Sequence, residues 1–173
     1  MANKTIENIK NRVSCRSYLD KKVSLKKVLE IAEAGKYAPS GKNRQIANIF
    51  IINSKKYVEK LRQLSLSIFD RDCMYGAKTV ILVGGPRDDK FTPQDCSCIL
   101  ENMFLAASSL KLGSCWINQF DDLFNSGKDG AKLKGQLGIP EDYQIVGACI
   151  VGYPADPASL KVKERKADFI KVI

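Results

Sequence analysis

From Thr92 to Leu110 the chain places apolar residues on almost every face of a helix. Ile99, Leu100, Met103, Phe104, Ala106, Ala107 and Leu110 follow the opening Thr92-Pro93, and Gly113 ends the run. Proline at the start and glycine past the end are ordinary helix boundary signals. A helix that is apolar nearly all round must be buried on most of its faces. This segment therefore predicts a central helix.

Shorter patterns surround it. Thr5 to Asn11 reads as a short helix with Ile6 and Ile9 on one face. Ser24 is a candidate N-cap for a second helix carrying Leu25, Val28, Leu29, Ile31 and Ala32 at helical spacing, until Gly35 or Tyr37. Ile49 to Ile52 reads as a buried strand, and Lys55 to Ser67 as an amphipathic helix with Val58, Leu61 and Leu64 inward. Thr79 to Val83 predicts a strand ended by Gly84-Gly85-Pro86. Gly113 to Ile117 and Ile145 to Gly152 read as further strands, with a helical turn or two at Asp129 to Gly135 and a basic tail from Pro154 to Ile173. Helices and strands alternate without a repeat or a dividing linker, so one α+β domain over residues 1–173 is expected.

Hydrophobic residues at 45% and charged residues at 27% are those of a soluble globular chain. The longest apolar runs, at 79–83 and 145–151, fall far below the roughly 18 residues of a membrane helix. No membrane span is expected. The N-terminal stretch MANKTIENIKNR is polar and lacks the apolar core of a secretory signal, which makes a cytoplasmic location the expectation. Six cysteines, at 15, 73, 96, 98, 115 and 149, form no CxxC pair, and there is no histidine. A zinc site is thereby disfavoured, and no imidazole is at hand as a base or proton shuttle. Any chemistry must run without one.

Lysine and arginine number 28 against 19 acidic residues, a net charge of +9 gathered mainly in 4–27 and 161–171. Such a balance suits nucleic acid, a lipid surface or a phosphorylated small ligand. The seven Phe and six Tyr do not cluster with basic residues into a base-stacking motif, so a nucleic-acid-binding domain is the weakest of the readings. There is neither a GxxxxGK[ST] loop nor a GxGxxG after a strand.

Four short segments carry the remaining chemistry. Arg12-Val13-Ser14-Cys15-Arg16 can present two guanidinium groups and a hydroxyl together. Tyr37-Ala38-Pro39-Ser40-Gly41-Lys42-Asn43-Arg44-Gln45 is either a surface turn or a backbone approach to a ligand rich in hydrogen-bonding groups. Gly113-Ser114-Cys115-Trp116-Ile117 follows the long helix, and Lys163-Glu164-Arg165 follows Gly152-Tyr153-Pro154. In this order, R-x-S-x-R, A-P-S-G-x-N-x-Q, G-S-C-W-I and K-x-R resemble the nitroreductase family of FMN-dependent oxidoreductases over nearly the whole chain.

The resemblance implies the family's α+β fold, a central antiparallel-type mixed sheet flanked by helices, in a domain-interlocked homodimer with FMN at the interface. It implies that Arg12, Lys163 and Arg165 hold the phosphate with Ser14 and Val13 beside them, while Arg16 lies toward the ribityl chain or the pyrimidine end. Pro39, Ser40, Gly41 and Asn43 would reach the flavin of the other subunit. Trp116, Ile117, Asn118 and Gln119 would lie beside the ring, with a main-chain N–H of Asn118 or Gln119 directed at flavin N5; for Trp116 plain core packing is an equal alternative. The implied activity takes hydride from NADH or NADPH onto N5 and passes electrons to a small organic oxidant, a nitroaromatic or quinone, by a ping-pong cycle. No metal and no catalytic side chain is needed. An FMN carrier or a non-catalytic flavoprotein is the alternative.

Two departures stand out. Gln45 is followed by Ile46-Ala47 where family members usually continue Q-P-W, which alters the pocket wall. Cys73 falls where longer members carry a lysine, with Asp70 at a neighbouring amide position, so Arg16 is left as the main cation near flavin N1. The short chain also implies an open site.

Overall fold

The computed structural model describes residues 3–173. Four strands, β1 (Asn48–Ile52), β2 (Thr79–Pro86), β3 (Gly113–Ile117) and β4 (Tyr143–Gly152), form one antiparallel sheet in the order β1-β2-β4-β3. Six helices accompany it: α1 (Lys4–Asn11), α2 (Leu25–Lys36), α3 (Lys55–Phe69), α4 (Thr92–Ser109), α5 (Gln119–Asn125) and α6 (Lys128–Gln136).

Successive side chains of a strand point to opposite faces, and β2 shows what each face meets. Val80 and Leu82 pack with Val58 and Leu61 of α3 and with Phe120 and Phe124 of α5. Ile81 and Val83 pack with Val28 and Ile31 of α2 and with Leu100 and Met103 of α4. Both faces are covered, which is why β2 and β4 are continuous apolar runs rather than alternating ones. The fold is α+β, a sheet between two helical layers.

The central helix is as expected. Only Pro93, Gln94, Glu101 and Ser109 of the 18 residues in α4 are exposed. One expectation needs correction. Gly84, Gly85 and Pro86 do not end β2; they continue it, with a register shift at Val83/Gly84. Glycine suits this place because a Cβ on Gly84 would run into the carbonyl oxygen of Gln144 on β4. The segment beginning at Gln119 is also helical, since Phe120, Leu123 and Phe124 recur at helical spacing and are all buried.

The N-terminal segment runs along the open edge of the sheet. Ser14 makes a parallel bridge to Ser114 of β3, and the Cys15 N–H donates to the Ser114 carbonyl at 2.8 Å. Leu19 N–H donates to Tyr153 O at 2.9 Å, and Ala155 N–H donates to Ser17 O at 3.0 Å, so the start of the basic tail lies against this segment. Both basic ends of the chain therefore leave from one edge.

The Gly84 contact gives a stability test. Gly84→Ala should destabilise the chain by about 2 kcal/mol, as overpacking against backbone does. Gly135, in α6, has open space where its Cβ would be, and Gly135→Ala should be neutral or stabilising by up to about 1 kcal/mol. Urea unfolding midpoints check both; equal midpoints for the two variants would contradict the packing at Gly84.

Candidate functional site

Helix α2 stops at Lys36, shortly before Pro39, because the residue ahead of a proline is pushed out of the α region. In the turn that follows, Lys42, Asn43 and Gln45 take left-handed φ values of 56°, 54° and 52°. For residues other than glycine each such conformation costs of order 1 kcal/mol or more and persists only where the surroundings impose it.

Those surroundings are visible. Ser40 Oγ accepts from the Gln45 N–H at 3.1 Å, and Gln45 Nε2 donates to Asn43 Oδ1 at 3.1 Å. The Gly41 N–H donates to Asp95 Oδ1 at 2.9 Å. Arg44 Nη2 meets both carboxylate oxygens of Asp89, at 2.6 and 2.8 Å, while its guanidinium lies 5.4 Å from the Phe91 ring centre. Gly41 is required here, because a Cβ would stand 2.5 Å from a carbon of that ring. Asp89, Phe91 and Asp95 thus strap the loop onto the start of α4. None of the three was singled out in the sequence.

The loop closes one end of a groove of about 1190 Å³. Its walls are apolar, with Leu29 and Ala32 of α2, Ile49 and Ile51 of β1 and Ile99 of α4. Pro39, Ser40, Gln45 and Asp95 line the polar end. Asp95 is only 5% exposed, and its Oδ2 has no hydrogen-bond partner among the described residues.

The other predicted residues gather elsewhere. Arg12 caps α1 and leaves it in extended geometry, with Nε 3.9 Å from Glu101. From there Val13, Ser14, Cys15 and Arg16 run beside β3, with Cys15 turned inward and Arg16 exposed. Burial pushes the Cys115 thiol of β3 above its ordinary value, opposed by the charge of Arg16. Trp116 packs against Phe104 at 6.0 Å and over Gly147, with its indole Nε1 buried and unpartnered among the described residues. Ile117 is buried. Asn118 and Gln119 open α5, where helix geometry leaves first-turn N–H groups without intrahelical acceptors. Lys163 and Arg165 lie exposed on the tail, in no ion pair among the described residues. The groove takes in Pro39 and Ser40 but none of Arg12, Ser14, Arg16, Asn118, Lys163 or Arg165. Cys73 is buried in the core beneath α3, and Asp70 is the left-handed C-cap of that helix.

The family model described as Nitroreductase family matches residues 9–72 and 69–153. The chain belongs to the nitroreductase family. A nitroreductase with bound FMN from Bacteroides fragilis shares 32% identity and superposes with a TM-score of 0.90, covering 99% of this chain and 100% of that one. A nitroreductase with bound FMN from Desulfitobacterium hafniense shares 25% identity with a TM-score of 0.90, covering 100% of both chains. An Archaeoglobus fulgidus protein provisionally named NADH dehydrogenase/NAD(P)H nitroreductase is 26% identical over 155 residues, 87% of this chain and 86% of that one. In this nitroreductase-family chain no helix among the described residues is long and apolar enough to cross a membrane.

The strap has a pH signature. The Phe91 N–H, and then Arg44, hold the Asp89 carboxyl below its usual value. A carboxyl depressed in the folded state stabilises it above the ordinary carboxylate range, and that contribution is lost as pH falls through the depressed value. The melting difference between wild type and Asp89→Asn should therefore be present at neutral pH and shrink as pH falls below the ordinary carboxylate range. A constant difference across that range would contradict the pairing.

Proposed function

We propose that this nitroreductase-family chain binds FMN and serves as an NAD(P)H-dependent FMN oxidoreductase. It works as a single domain over 1–173, as a homodimer in the cytoplasm, with a small organic oxidant as the second substrate. The observation that carries this reading is the division of the polar groups. Cations and first-turn N–H groups cluster along β3 and the chain ends, while the strained loop stands apart at the mouth of an apolar groove. One chain offers two incomplete halves, and a second copy completes each. Strain of this kind is commonly kept where a ligand is held. The FMN-bound relatives at a TM-score of 0.90 support the same reading.

The residues fit the group. A phosphate needs cations not already neutralised: Arg16, Lys163 and Arg165 make no ion pair among the described residues, and Arg12 makes only the 3.9 Å approach to Glu101. Arg12, Lys163 and Arg165 would hold the phosphate with Ser14, since charge-assisted bonds are roughly twice as strong as neutral ones. Arg16 would face the ribityl chain or pyrimidine end. Val13 would lie beside Ser14, and Trp116 and Ile117 would support the ring, with the Asn118 or Gln119 N–H toward N5. Pro39, Ser40, Gly41 and Asn43 would come from the partner copy. Bound there, FMN would supply the hydride-accepting N5 and the two-electron chemistry of a ping-pong cycle between NAD(P)H and an oxidant. The chain, lacking histidine, leaves proton supply to water or substrate.

Anaerobic titration tests this. The purified protein loaded with FMN should lose its flavin absorption on addition of NADH or NADPH. Bleaching by dithionite but by neither nucleotide would leave an FMN carrier, and a colourless protein after incubation with FMN would sink the whole reading. Arg12→Ala should weaken FMN binding by about 2 kcal/mol, the cost of removing a charged partner from a phosphate, measured by fluorescence titration.

A further inference from the structure

We propose that Asp95 is a positioning residue for cofactor binding: its buried carboxylate holds the Ser40–Gln45 loop in the left-handed conformation that presents the loop to the flavin. The inference rests on the FMN reading above and adds a residue that the resemblance does not assign. A buried carboxylate is costly unless it is hydrogen-bonded, and Asp95 is 5% exposed in a groove with apolar walls. If its role were packing alone, an apolar side chain would serve better.

What Asp95 touches accounts for a carboxylate at this place. Its Oδ1 accepts the Gly41 N–H at 2.9 Å, immediately before Lys42 and Asn43, the first two left-handed residues. Its own N–H donates to Phe91 O at 2.9 Å within the first turn of α4, where the helix end favours negative charge. The same segment provides Phe91, whose ring lies where a Gly41 side chain would go, and Asp89, which pairs with Arg44. The Arg44 side chain is 42% exposed, and exposed ion pairs contribute little. Asp95 is therefore the principal anchor of the strap. Oδ2 has no donor among the described residues, so the Gly41 N–H is the hydrogen bond that the side chain accepts. No residue of Ser40–Gln45 belongs to either core cluster among the described residues.

The experiment uses the full chain and reads two quantities: amide hydrogen exchange across Gly41–Gln45, and FMN affinity by fluorescence titration. Asp95→Ala should speed exchange at Gly41 and Gln45 and raise the FMN Kd about tenfold or more, the range for loss of a hydrogen bond to a charged group. Asp95→Asn keeps an acceptor at Oδ1, and should retain slow exchange and hold the Kd within about threefold of wild type. That rescue separates positioning from a general loss of structure. If Asp95→Ala fails to fold, Asp95→Ser keeps a polar group in the first turn of α4 and reads the same pair. Unchanged exchange, or unchanged FMN affinity with faster exchange, overturns the proposal. Wild-type protein that takes up no FMN sinks the cofactor reading alone, and the exchange comparison then decides the anchor by itself.

Discussion

The pairing of β2 with β4 is the constraint on which the other elements depend. The two strands are hydrogen-bonded along all of β2, and Val80, Ile81, Leu82 and Val83 are fully buried toward alternate faces. Each such side chain is worth about 1.5–3 kcal/mol when removed from water, but only if both faces have a lid. Helices α3, α5 and α6 cover one face; α2 and α4 cover the other. Helix α4 is itself buried on most sides, and Thr92, Asp95 and Cys96 near its start are buried. Asp95 and Phe91 gain their fixed positions from that core.

Lateral growth of the sheet explains the placement of charge. Strand β3 is an edge, and an unpaired edge invites another segment. The N-terminal segment takes that place through Ser14 and Cys15, with the start of the tail beside it through Ala155. Residues far apart in sequence, Arg12 and Arg16 at one end and Lys163 and Arg165 at the other, thus belong to segments that leave from one edge. The net charge of +9 is not spread evenly. Much of it is carried by the two segments most free of the hydrophobic core.

The large elements were legible because their patterns are long. The apolar runs of β2 and β4 and the all-round apolar pattern of α4 each determine an element without knowledge of its neighbours. Gly84 and Gly85 misled because glycine after an apolar run usually marks a turn; here it marks a close approach by Gln144, which only the paired strand reveals. Helix α5 was hidden by its brevity, seven residues with Phe120, Leu123 and Phe124 as the whole signal. In the site, the order of R-x-S-x-R, A-P-S-G-x-N-x-Q and G-S-C-W-I pointed to the family. The strap did not show, since Gly41 and Asp95 are 54 positions apart and nothing local in either announces the other.

The strap also bears on the missing side chains of the Ile46-Ala47 departure. Ala47 and Ile49 line the groove beside Pro39 and Ser40. A Cβ built on Gly85 would lie 3.5 Å from the Ala47 Cα and 3.2 Å from the Thr92 side chain. Thr92 in turn donates to Pro86 O at 2.7 Å, which ties the last residue of β2 to the first turn of α4. Small residues at this junction and the Asp95 anchor are thus two parts of one arrangement. The loop is held from the helix side by charge and admitted from the strand side by space.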